Sequence, residues 1–345
     1  MSCPLVDFSG QFNAAFELAV IRQGTPPLEF RIKAAGRRFR LRFATAAMRD
    51  AMLPALRNLV IPLNHAEPDD FTLNIWESAS TGVQPPSPAW PLKNPITKGE
   101  ITELTDLRFA GHVSHESGAV SFYDADARTA IFWLADARNL RGHERAAPFL
   151  TIFQWCFRHS GRQITHAAVI GLPSGAALLA GKGGSGKSTT AALGCEAGLL
   201  HLGDDYCLLA DDPPRAFTFY RSVKLHPRSL RLGPLESWSR EAAWTAEEKD
   251  VLLLDGQAPR EVGLKIILLP RVAGAGGTAV RPAGAAEALR ALAPSTLFQL
   301  PGTTPSDFTF FARLVRQLPA FHLDLGTDPE NVAVRVRELL EGVKP

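Results

Sequence analysis

Few cysteines, no excess of charge and no long apolar run exclude several classes of protein before any motif is considered. Cys3, Cys156, Cys195 and Cys207 are scattered through 345 residues with no C-x-x-C pair. That spacing argues against a zinc site and is the pattern of reduced thiols in a cytoplasmic protein. His112 and His115 form an H-x-x-H, but no further Cys or His stands at ligand spacing, so no metal is assigned to them. Lys and Arg number 37 against 35 Asp and Glu, a formal net charge of +2. From that balance neither nucleic acid nor a membrane surface is expected as a partner. The first ten residues hold no basic segment followed by a long apolar core, and no signal peptide is read there. Residues 147–157 are aromatic and apolar but too few to span a bilayer, and they include Gln154; they read as a buried helix.

The chain has the 46% hydrophobic and 21% charged content of a globular protein, and its length has room for two α/β domains. In the first, residues 1–160, the alternating stretches 28–33 and 38–43 read as paired strands with one apolar face. Residues 44–59 have helical spacing, and 71–76 read as another strand. Pro85, Pro86, Pro88, Pro91 and Pro95 mark a loop. Strand patterns resume at 107–110, 119–123 and 130–134, and a helix over 147–159 leads into the second domain. Arg38, Arg40 and Arg42 alternate as on a solvated sheet face. No catalytic constellation is found in this part, which is expected to recognise a partner or acceptor.

The second domain, residues 161–345, carries the chemistry. Strands are expected at 164–170 and 176–180 around a turn at 171–175, then at 199–202, 206–210, 217–220, 223–225, 264–269 (bounded by Pro270) and 320–325. Helices are expected near 283–293, 307–318 and 329–340. Gly181-Lys182-Gly183-Gly184-Ser185-Gly186-Lys187-Ser188 matches the phosphate-binding pattern G-x-x-x-x-G-K-[ST] in full, between an apolar strand and the start of a helix. Such a loop wraps a polyphosphate with backbone N–H groups and aims a helix N-terminus at it. Lys187 is expected to reach the β- and γ-phosphates of ATP, Ser188 to sit on Mg²⁺, and Thr189 to help hold the nucleotide.

Asp204-Asp205 follows 17 residues after Lys187. A helix of about 11 residues carries the chain about 16 Å from the phosphates, and the next strand returns it. Of the two carboxylates one can hold Mg²⁺ while the other accepts a proton from an attacking hydroxyl; we assign Asp204 as base and Asp205 as metal ligand. Arg221 and Lys224, farther on, offer positive charge for a transferring phosphate or for the surface.

The run His166-Ala-Ala-Val-Ile-Gly-Leu-Pro-Ser-Gly-Ala-Ala-Leu-Leu-Ala-Gly181 resembles a segment of HPr kinase/phosphorylase and its relatives, where a functional His precedes the phosphate loop by this spacing and an Asp-Asp pair follows. The likeness covers roughly residues 163–225. It implies a P-loop kinase domain of the HPr kinase and phosphoenolpyruvate carboxykinase type behind an N-terminal mixed α/β domain. It also implies that His166 is a catalytic or phosphate-contacting group. Thr189 stands where the bifunctional enzymes carry Glu, and no C-terminal phosphorylase signature is present, which points away from HPr dephosphorylation. The expected activity is ATP- and Mg²⁺-dependent phosphoryl transfer to a hydroxyl, a serine of a protein or peptide. A small-molecule acceptor, or a nucleotide-binding regulatory role without transfer, stays open, as does homo-oligomerisation.

Overall fold

The computed structural model describes residues 4–64, 67–88, 97–240, 242–255, 258–274, 276–301 and 303–342. Two compact units divide it: Met1–Cys156 with Leu300–Gly302, and Phe157–Gln299 with Thr303–Pro345. Both mix helices with strands.

The first unit is built on a seven-stranded sheet whose strands are β1 (Leu28–Ala34), β2 (Arg37–Phe43), β3 (Val60–Ile61), β4 (Phe71–Glu77), β5 (Phe109–Val113), β6 (Val120–Asp124) and β7 (Thr129–Leu134), in the order β3-β1-β2-β4-β7-β6-β5. The pairing of β1 with β2 is antiparallel, Leu28 opposite Phe43. A helix at Pro4–Gln23, not anticipated from the sequence, lays Phe8, Phe12, Phe16 and Ala19 into the core. Phe12 stacks on Phe122 with ring centroids 5.1 Å apart. The expected helix over 44–59 is shorter: α-helix covers Ala46–Met52, and Pro54 begins a 3-10 turn through Leu59, because proline has no N–H to continue the ladder. The 147–159 helix shrinks to Leu150–Phe157. Residues 82–88 have no regular structure, while Pro91 and Pro95 lie outside the described residues. The arginines on β2 are paired rather than merely solvated: Arg40 meets Glu29 at 2.7 Å, and Arg42 bridges Glu17 and Glu29 at 2.8 and 3.3 Å.

The second unit holds β8 (Arg162–Thr165), β9 (Ala168–Leu172), β10 (Gly175–Leu179), β11 (Leu200–Gly203), β12 (Cys207–Asp211), β13 (Pro214–Phe217), β14 (Ser222–Leu225), β15 (Ala242–Ala246), β16 (Lys249–Leu253), β17 (Glu261–Val272), β18 (Ala279–Ala283) and β19 (Ala320–Leu325). Nine form one sheet along the path β11-β9-β10-β17-β13-β12-β8, with β19 on β17 and β18 on β19; β14-β16-β15 form a separate sheet. Every residue of β10 from Ala176 to Leu179 is fully buried, because helices cover both faces. Ala176 and Leu178 pack with the helices Ala285–Leu297 and Pro305–Gln317, whereas Ala177 and Leu179 pack with Lys187–Glu196 and Pro329–Gly342. This two-sided burial is why β10 reads as a continuous apolar run rather than an alternating one.

Two expectations are corrected here. The single strand 164–170 is two strands broken at His166 and Ala167: β8 pairs with β12, and β9 pairs with β10 and β11. The apolar run hid the break because residues on both sides of it are buried. Its turn into β10 is also tighter than 171–175, since Leu172 pairs directly with Gly175. Second, β17 does not stop at Pro270 but runs through it alongside β19. Ala180 donates to Leu268 O, so by the two-residue period Pro270 faces the side where β10 has already ended, and its missing N–H breaks no ladder bond.

Candidate functional site

A cavity of about 530 Å³ opens in the second unit over the loop that follows β10. Gly183, Gly184, Ser185, Gly186, Lys187, Ser188 and Thr189 line it, while Gly181 and Lys182 lie at its edge and turn their carbonyls to Lys187. Gly184 has φ +77° and Gly186 φ +105°, values that side-chain-bearing residues resist. A Cβ on Gly186 would also stand 2.4 Å from Leu325 Cδ1. Gly186 is the N-cap of the helix Lys187–Glu196, whose first N–H groups therefore face the cavity without helical acceptors.

Lys187 is 7% exposed, and its ammonium donates to Gly181 O at 2.7 Å and Lys182 O at 3.3 Å, with no carboxylate ion pair among the described residues. Burial holds its pKa below the usual lysine value, against the pull of Asp204 and Asp205.

The two aspartates leave β11 in opposite environments. Asp204 is 1% exposed; its Oδ2 accepts from Lys224 N at 3.2 Å and its Oδ1 has no hydrogen-bond partner. Burial, and then the neighbouring Asp205, raise its pKa, while Lys224 N–H and the Ser188 hydroxyl favour the anion. Asp205 lines the cavity in a left-handed backbone conformation, φ +66°. It forms an ion pair with Lys224 Nζ and meets His166 Nε2 at 3.2 Å. Burial would raise its pKa, but Lys224 and His166 outweigh that and hold the carboxyl well below its ordinary range. Lys224 is held above the usual lysine value: burial lowers it, and Asp205 more than restores it.

His166 occupies the break between β8 and β9. Its backbone N–H donates to Thr296 Oγ1 at 2.9 Å, and its buried Nδ1 has no partner. Behind it, the Cys207 thiol donates to Ala167 O at 3.1 Å; the thiol is enclosed, and burial pushes its pKa well above the free value. Thr189 Oγ1 and Ser229 Oγ lie 2.9 Å apart at the cavity wall.

His166, Lys187, Ser188, Thr189 and Asp205 thus meet at one cavity, with Asp204 enclosed beside Ser188. Arg221 does not join them. It is 7% exposed and spends its guanidinium on the carbonyls of His201, Leu254 and Asp255, which ties backbone together rather than facing ligand. Reading the sequence missed Lys249 and Arg228, which also line the cavity; Glu247-Glu248 is not a turn pair that marks a hairpin, so nothing local to Lys249 announces it.

The donor set fits a polyphosphate with a divalent cation. Positive φ glycines bare the loop backbone, and among the described residues Lys187 has no carboxylate partner and the buried Ser185 Oγ and Asp204 Oδ1 have no hydrogen-bond partner. No helix among the described residues is long and apolar enough to cross a membrane. Compared with protein-family models and with curated proteins, the chain matches none.

Proposed function

We propose that this protein is an Mg²⁺- and ATP-dependent kinase of the HPr-kinase-related type, which phosphorylates a hydroxyl, a serine of a protein or peptide. The observation that carries the reading is the convergence of the 181–188 loop with His166, Asp205 and Lys224 on one cavity. A purely structural glycine turn would not require a buried, interlocked carboxylate, imidazole and ammonium at its mouth.

Backbone N–H groups of the loop and of the first helical turn would bind phosphate oxygens, and Lys187 would exchange its two carbonyl acceptors for them. Ser188 and Asp204 would hold the metal. Asp204 is enclosed beside the Ser188 hydroxyl with one oxygen unpartnered, whereas Asp205 faces the space an acceptor must enter. Asp205 therefore suits the base, the reverse of the assignment expected from sequence. Lys224 and His166 keep it ionised, so it meets the acceptor unprotonated and suits orienting the hydroxyl and taking its proton late, once the bond to phosphorus is forming. The loop, Lys187, Ser188 and Asp204 would hold MgATP, which would supply the γ-phosphoryl group, its bond to the diphosphate breaking as the acceptor oxygen bonds to phosphorus. The acceptor proton would pass to Asp205, neutralising it, and Lys224, relieved of that carboxylate, would be left to face the negative phosphate oxygens.

Thermal unfolding with and without MgATP tests the binding step: the midpoint rises for the parent and stays flat for Lys187→Ala. Radiolabelled ATP incubated with the protein and cell extract then identifies the labelled acceptor. Equal midpoint shifts in parent and variant would remove the loop from the site, and absence of any labelled species would leave binding without transfer.

A further inference from the structure

The three-stranded sheet contributes a cation that the scheme above does not use. β14 and β16 pair antiparallel with Lys224 opposite Val251 and Leu225 opposite Asp250. Side chains alternate along a strand, so Lys249, two residues before Val251, shares a face with Lys224. Both line the cavity. The turn that precedes Lys249 is short: Ala246 pairs with Lys249 and only Glu247 and Glu248 intervene, Glu247 at φ +56°. A two-residue turn of this kind fixes the hairpin tip, and with it the direction in which Lys249 leaves the sheet.

The commitments of the cavity's lysines differ. Lys224 is held by Asp205, and Lys187 by the carbonyls of Gly181 and Lys182. The Lys249 ammonium has no hydrogen bond or ion pair among the described residues. Lys187 and Lys249 nonetheless line the same cavity. Two like charges facing one cavity repel each other until an anion lies between them. Across the lining, Lys187, Lys224, Lys249 and Arg228 stand against the carboxylate of Asp205, so the preferred occupant is polyanionic. Apolar side chains line the cavity as well: Leu193 on the second turn of the helix Lys187–Glu196, Leu232 and Val332, and Val272 and Leu325 beside Gly186. Lys249 shares its face with Lys224, the partner of Asp205, and so belongs with the polar side chains that gather around the loop.

We propose, building on the nucleotide reading above, that Lys249 binds the terminal phosphate of a nucleoside triphosphate and is the residue by which the pocket separates triphosphate from diphosphate. A solvated lysine at a strand start would do neither.

Calorimetric titration of the full chain with MgADP, and with the Mg²⁺ complex of the non-hydrolysable β,γ-imido analogue of ATP, reads this directly. Lys249→Ala is expected to bind MgADP as the parent does and to lose roughly 10- to 100-fold in affinity for the analogue, the worth of one charge-assisted hydrogen bond. Lys249→Arg is expected to recover most of that loss. Unfolding midpoints without ligand should match the parent, because the Lys249 side chain holds nothing in the empty pocket. Equal weakening of both nucleotides, or no change in their ratio, overturns the proposal and leaves the nucleotide site standing. A parent protein that binds neither overturns the nucleotide reading and this one with it.

Discussion

Asp204 and Asp205 are adjacent in the chain and opposite in their electrostatics. Asp204 holds its proton to a higher pH than an ordinary carboxyl because burial and Asp205 disfavour its charge. A metal ligand must be ionised, so Mg²⁺ competes with that proton. Metal-dependent nucleotide affinity should therefore fall as pH is lowered through the raised pKa of Asp204, before an ordinary carboxylate would titrate, and Asp204→Asn should remove both the Mg²⁺ requirement and this pH dependence. Titration calorimetry across pH 4–8 checks it. Asp205 behaves in the other sense: its pKa is depressed, so its charge persists through that window. Asp205→Asn should leave MgATP affinity nearly intact and lower turnover by roughly 10²- to 10⁴-fold, the worth of a general base. Steady-state kinetics with the labelled acceptor separates the two. If Asp205→Asn abolishes metal dependence instead, the roles are those first expected from the sequence.

Among the elements, the broken strand sets the site. The gap between β8 and β9 lets His166 leave the sheet and reach Asp205, a positioning contact at 3.2 Å. His166→Ala removes a group that favours the Asp205 anion, so the acid limb of kcat should move to higher pH with little change in nucleotide affinity. A parallel fall at all pH values would mean a purely structural loss. The helix that follows the loop is held close to β9: a Cβ on Gly194 would stand 2.8 Å from Ile170 Cδ1. Gly194→Val should therefore cost about 1–3 kcal/mol of stability, measured by urea unfolding. The loop, its flanking strand and helix, and the returning Asp pair were legible in the sequence because each is specified locally, by glycines, a lysine and apolar runs. The break at His166 was not, since buried residues flank it on both sides and no glycine or proline marks it. The first helix left a signal that was passed over: Phe8, Phe12 and Phe16 recur every four residues. Lys249 was invisible for another reason, because only the register of β14 on β16 brings it beside Lys224.

At the scale of the whole molecule, two units carry separate cores, and a defect in one is expected to leave the chemistry of the other intact. Phe12 is 1% exposed and packs on Phe8 and Phe122. Phe12→Ala should lower the stability of the first unit by about 3–5 kcal/mol, followed by chemical denaturation, with MgATP affinity unchanged. The enclosed thiol behind His166 adds a different kind of access to the second unit. A thiol is alkylated only as its thiolate and only where reagent can reach it, and Cys207 in the folded chain satisfies neither condition. Its labelling rate accordingly measures how often β12 parts from its neighbours, a native clock for opening at the back of the cavity. Partly buried Cys195, whose thiol burial also holds above its free value, serves as the internal standard. With an ATP analogue and Mg²⁺ present, mass spectrometry of iodoacetamide-treated protein should show Cys207 slowing relative to Cys195. Unchanged ratios would mean that the wall behind His166 opens whether or not the pocket in front of it is filled.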